Sequence, residues 1–69
     1  MKLSARNQLS GTVTNINEGA AIGNVELEVA GQRLVASITV EAIRELGLAE
    51  GTAVTAIIKA SDVVLAVDD

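Results

Sequence analysis

Apolar and polar positions alternate with a period of two over most of this chain. Across residues 9–16, Leu9, Gly11, Val13 and Asn15 fall on one side and Ser10, Thr12, Thr14 and Ile16 on the other, a run rich in β-branched residues that predicts a strand. Asn17-Glu18-Gly19 and Gly23-Asn24 bracket a turn-prone segment, with both glycines read as serving turn geometry. Residues 25–29, Val-Glu-Leu-Glu-Val, alternate without a break, so the second strand is expected to be half-buried with Glu26 and Glu28 toward solvent. Ala30-Gly31-Gln32 turns the chain into a third, antiparallel strand at residues 34–38. Thr39 is placed to cap a short helix, with Glu41 in its first turn, Ile43 and Leu46 on one face and Gly47 just past its end. A fourth strand at residues 53–58 and a fifth at residues 63–67 follow, separated by Lys59-Ala60-Ser61-Asp62. The expected fold is all-β: a five-stranded, OB-like Greek-key barrel with one short helix between strands 3 and 4, residues 1–69 forming a single domain.

Length changes how that barrel must be stabilised. A chain of 69 residues buries only about 60% of its unfolded surface. It has no Cys for a disulfide and no His or Cys for a structural zinc site. Self-association is the remaining source of stability. Hydrophobic residues make up 49% of the chain with no aromatic among them, so the apolar surface is built of small and β-branched side chains suited to strand packing between subunits. No apolar run approaches the ~18 residues of a membrane span and no signal-like leader is present, which leads to the expectation of a cytoplasmic protein without membrane partners.

The charge balance directs attention to two short segments. With a formal net charge of −4, the protein offers no general positive field, so any anion must be held by local donors. Two of the five basic residues, Arg6 and Lys59, sit in Ser4-Ala5-Arg6-Asn7-Gln8 and Lys59-Ala60-Ser61. With nearby hydroxyls and backbone N–H groups they make a candidate oxyanion site. Asp and Glu are missing from residues 1–17 and 51–61, although Asp62 adjoins the second segment. Arg33 and Arg44 are read as solvated surface charges.

Ser4-Ala5-Arg6-Asn7-Gln8-Leu9, Gly11-Thr12-Val13, Ile38-Thr39, Leu46-Gly47-Leu48, Gly51 and Lys59-Ala60-Ser61 occur in an order and spacing that resembles the molbindins. These are small molybdate-binding proteins of one Mop-type domain, related to domains of molybdate-responsive regulators and molybdate-transport ATPases. The resemblance covers essentially the whole chain. It implies a five-stranded barrel, a homohexamer arranged as a trimer of dimers, and oxyanion sites between subunits. Carried over residue by residue, it puts the principal ligands on Ser4, Arg6, Lys59 and the N–H of Ala60. Ala5, Asn7 and Ser61 complete the two segments, Asn7 as a structural hydrogen-bonding residue. A second site on the three-fold axis falls on the backbone N–H groups of Ala20, Ala21, Ile22, Gly23 and Asn24, in the loop between the first two strands. Where some relatives place a Ser near the start of the helix, this chain has Ala42.

Those residue types suit the implied ligand. Molybdate is a tetrahedral dianion with acceptor oxygens only, so its site needs donors: serine hydroxyls, the guanidinium fork of Arg6, the ammonium of Lys59 and backbone N–H groups. Tungstate has the same shape and charge and is expected to bind alike. No cofactor and no directly coordinated metal are expected. An enzyme is disfavoured by the lack of His, Cys and Tyr and of a phosphate-binding glycine loop. Nucleic acid is disfavoured by the lack of aromatics and of a basic groove. The reading is intracellular molybdate binding for molybdenum storage or homeostasis; the alternative is an oligomeric structural or protein-interaction barrel without ligand.

Overall fold

Four antiparallel strands and one helix form the fold in the computed structural model, which describes residues 2–68. They are β1 (Asn7–Glu18), β2 (Ile22–Val29), β3 (Gln32–Thr39), α1 (Val40–Glu45) and β4 (Ala53–Ile58), followed by a short 3-10 turn at Ala60–Asp62. The sheet order is β3-β2-β1-β4. The long strand β1 serves two neighbours, pairing with β2 through its second half and with β4 from Asn7↔Ile58 to Thr12↔Ala53.

Local chemistry explains the joints. The β2–β3 hairpin turns at Ala30 and Gly31, both left-handed with φ of 50° and 80°, the pattern whose twist matches that of the flanking strands. Glu28 Oε1 accepts from the Gly31 N–H at 3.2 Å. Alanine tolerates that conformation poorly, whereas asparagine visits it readily. Ala30→Asn is therefore expected to stabilise the fold by about 0.5–1 kcal/mol, read as a raised urea midpoint at fixed protein concentration. Helix α1 starts where Thr39 Oγ1 accepts from the Ala42 N–H at 3.0 Å. It stops at Gly47, φ 64°, with Gly47 N–H donating to Arg44 O and Leu48 N–H to Ile43 O, the paired bonds of a Schellman end.

Two details of the strands depart from the periodic reading. The β1–β2 register shifts between Val13 and Asn15, so that Asn15 pairs with Glu26 and Ile16 with Val25. The extra residue, Thr14, is a β-bulge that reverses the facing of everything after it; Ile16, not Asn15, therefore packs against the core. Gly23 also lies within β2 rather than in a turn. A Cβ there would come within 2.6 Å of Ile43 Cδ1, so its small size admits the helix onto the sheet. The turn itself is confined to residues 19–21, closed by Gly19 N–H to Ile22 O at 2.8 Å.

The fifth strand and the closed barrel are not formed by a single chain. Residues 63–67 run past the 3-10 turn without a ladder partner among the described residues. Strand propensity supplies only the capacity to pair; the turn does not bring this segment back to either sheet edge. Val64, Leu65 and Val67 consequently stand 92%, 87% and 92% exposed. The buried core is small: Val13, Val25, Leu27, Val40 and Ile43. Between the free edges of β3 and β4 lies a groove of about 620 Å³, floored by Val25, Leu27, Leu34, Ile38, Val54 and Ala56. Total accessible surface is 5360 Å², where a compact monomer of 7.0 kDa exposes about 4,000 Å². The radius of gyration, 13.1 Å, likewise exceeds the ~11 Å of a compact chain of this length.

Candidate functional site

Strand pairing brings together the two segments singled out in the sequence. β1 and β4 are antiparallel, and their ladder ends at Asn7↔Ile58. Arg6 and Lys59 are the residues that directly follow that last pair, and Ser4-Ala5 and Ala60-Ser61 lie just beyond the ladder, the latter two in the 3-10 turn. More than fifty residues of chain separate the partners, and one ladder places them at the same end of the sheet.

The local backbone fits a donor site. Lys59 is extended, with φ −63° and ψ 139°, and no side chain caps the turn that follows. That turn is closed by Asp62 N–H to Lys59 O at 2.9 Å and Val63 N–H to Ala60 O at 3.3 Å, neither of which uses the N–H of Ala60 or Ser61. Ser4, Arg6, Lys59, Ala60 and Ser61 are exposed, while Ala5 and Asn7 are half-buried. Among the described residues, neither Arg6 nor Lys59 has an ion-pair partner; the ion pairs of the chain join Arg33 to Glu26 and Arg44 to Glu18. Two cations thus flank the end of one ladder, neither of them ion-paired among the described residues.

The remaining predicted residues divide between two elements. Ala20 and Ala21 lie in the turn after β1, whereas Ile22, Gly23 and Asn24 open β2; Gly23 and Asn24 are paired on both sides, Gly23 with Glu18 and Ile38, and Ile22 with Thr39 alone. The Ala21 carbonyl accepts from the Val40 N–H at 2.8 Å, which ties this turn to the start of α1.

A separate polar cluster on the outer face escaped sequence reasoning. Asn15 Nδ2 donates to Glu26 Oε2 at 2.8 Å, Arg33 Nε donates to Glu26 Oε1, and Thr14 Oγ1 donates to the Glu26 carbonyl. The hydrogen bond from Asn15, then that from Arg33, hold the Glu26 carboxyl below its ordinary pKa. Arg33 is a surface charge, 70% exposed, that is also ion-paired, and the cluster fastens the bulge at Thr14. Its signal was the charge pattern across the hairpin, where Arg33 pairs directly with Glu28 and lies diagonally across from Glu26.

The TOBE domain family model matches residues 3–65. Molybdenum-pterin-binding protein 3 of Clostridium pasteurianum is 46% identical over 66 residues, covering 94% of this chain and 97% of that protein. Among solved structures, a molybdate-binding protein from Sporomusa ovata superposes with a TM-score of 0.92 at 36% identity, over 96% of this chain and 98% of its own. The cytoplasmic molybdate-binding protein ModG, with molybdate bound, superposes with a TM-score of 0.84 at 44% identity, over 87% of this chain and 43% of its own. The chain belongs to the TOBE domain family and, within it, to the molbindin or Mop-type group.

Proposed function

We propose that this protein binds molybdate, and its analogue tungstate, at sites built from Ser4, Arg6, Lys59 and the N–H of Ala60, in a homo-oligomer that serves molybdenum storage or homeostasis in the cytoplasm. The observation that supports this reading is the β1–β4 ladder, whose last pair, Asn7↔Ile58, is directly followed by Arg6 and Lys59, neither ion-paired among the described residues. Its relatives and structural neighbours are named for molybdenum or molybdate binding. It acts as a binding protein rather than an enzyme. A donor-only site suits a fully deprotonated tetrahedral dianion, while hydrogen phosphate would oppose a donor to donors. Sulfate, smaller and equally acceptor-only, is discriminated by the size of the cavity between subunits. Ala20 and Ala21, with the backbone at the start of β2, are the candidates for a second, three-fold-axis site.

The assembly is supported by what a lone chain leaves uncovered. An unpaired apolar segment, residues 63–67, coexists with an open apolar groove between β3 and β4. A strand laid in that groove joins both edges and closes a five-stranded barrel. Since a chain's own turn leads away from its groove, the strand comes from a second copy, and reciprocal exchange gives a two-fold dimer. The surface in excess of a compact monomer, roughly 1,300 Å² per chain against the mass scaling, is enough for a standard interface of about 800 Å² per partner. Trimerisation of such dimers gives the hexamer the family resemblance implies.

Titration calorimetry with sodium molybdate, sulfate and phosphate at one ionic strength tests the function. Heat saturating at about one molybdate per chain, with phosphate silent, is expected; no heat for any oxyanion would leave an oligomeric barrel without this ligand.

A further inference from the structure

The turn that carries Lys59, Ala60 and Ser61 is also the link between β4 and the exposed segment at residues 63–67. We propose that this turn is an anion-operated latch, in which an oxyanion bound to it slows the exchange of the following strand between subunits. The inference rests on the site and the strand exchange proposed above, and adds the coupling between them.

The geometry leaves one place for the exchanging strand to pivot. Upstream, β4 is fastened to β1 as far as Asn7↔Ile58. Downstream, residues 63–67 have no ladder partner among the described residues. Any swing of the segment into or out of a neighbour is therefore taken up by residues 59–62. In the free chain that pivot is held by two exposed backbone hydrogen bonds, with no side-chain cap and no buried residue.

A dianion reverses this balance. Bound by Lys59 and the Ala60 N–H on the turn and by Ser4 and Arg6 on the leader of β1, it ties the pivot to the strand that anchors β4. Strand release then requires the anion to leave first. Exchange through anion-free chains falls as the inverse of one plus the ratio of anion concentration to Kd, about 100-fold at a hundredfold excess. The core need not move, because the coupling lies in four residues of turn.

The test mixes unlabelled and uniformly 15N-labelled oligomers of the full chain and follows mixed species by native mass spectrometry, with sodium molybdate against sodium chloride at matched ionic strength. Mixing is expected to slow progressively with molybdate, by about two orders of magnitude at a hundredfold excess over Kd. In Lys59→Ala, mixing should run at the anion-free rate or faster at the same molybdate concentration. An unchanged mixing rate while calorimetry shows the sites filled overturns the latch and leaves the binding function standing. Absence of calorimetric binding overturns the function itself, and absence of oligomers overturns strand exchange; either removes the latch with it.

Discussion

Leu65→Ala is expected to destabilise the assembled protein by about 2–5 kcal/mol per chain, and Leu65→Asp to leave it largely monomeric. Within one chain neither change has a reason to matter. Leu65 is 87% exposed and lies outside every strand of the single subunit, and substitutions at such surface positions usually change stability by no more than about 0.5 kcal/mol. The large figure belongs to a leucine buried in a packed core, a state this side chain reaches only in the groove of another subunit. In that position an aspartate would carry an unpaired charge into an apolar channel floored by Leu27, Leu34 and Val54. Sedimentation velocity with urea unfolding at two protein concentrations checks both parts. A Leu65→Ala protein with wild-type mass and midpoint would remove the exchanged strand from the account.

The same segment shows what a sequence can and cannot convey. Features fixed by neighbours in the chain were legible: Thr39 capping α1, Gly47 ending it, and the turn at Ala30 and Gly31 each depend on a few adjacent residues. The bulge at Thr14 was not, because an inserted residue leaves composition and propensity unchanged while reversing which of Asn15 and Ile16 faces inward. Gly23 resembled a turn glycine because the side chain it makes room for, Ile43, lies 20 positions away in α1. Residues 63–67 had the right propensity for a strand, but pairing depends on a reachable edge, and propensity carries no information about whose edge that is. The candidate site was intermediate. Its residues stood out by charge, hydroxyls and family resemblance, whereas their juxtaposition depends on the long-range β1–β4 ladder, which no local pattern encodes.

Arg6→Ala and Lys59→Ala are each expected to weaken molybdate binding by about 1.5–3 kcal/mol, the usual worth of a hydrogen bond to a charged group, or about 10- to 150-fold in Kd. The apo protein should be unaffected, since both side chains are exposed and neither is ion-paired within the described residues. Calorimetry of the two single variants and the double variant gives the coupling between them. If both groups grip one anion, the losses are non-additive, as expected for partners sharing a ligand; strict additivity would mean that they serve different sites. Arg6→Lys adds a finer distinction. It keeps the charge but loses the planar pair of donors, so an affinity between those of wild type and Arg6→Ala identifies a forked contact to two oxyanion oxygens. Full retention by Arg6→Lys would instead assign Arg6 a purely electrostatic part, one that also weakens with added salt because the site is exposed in the single chain.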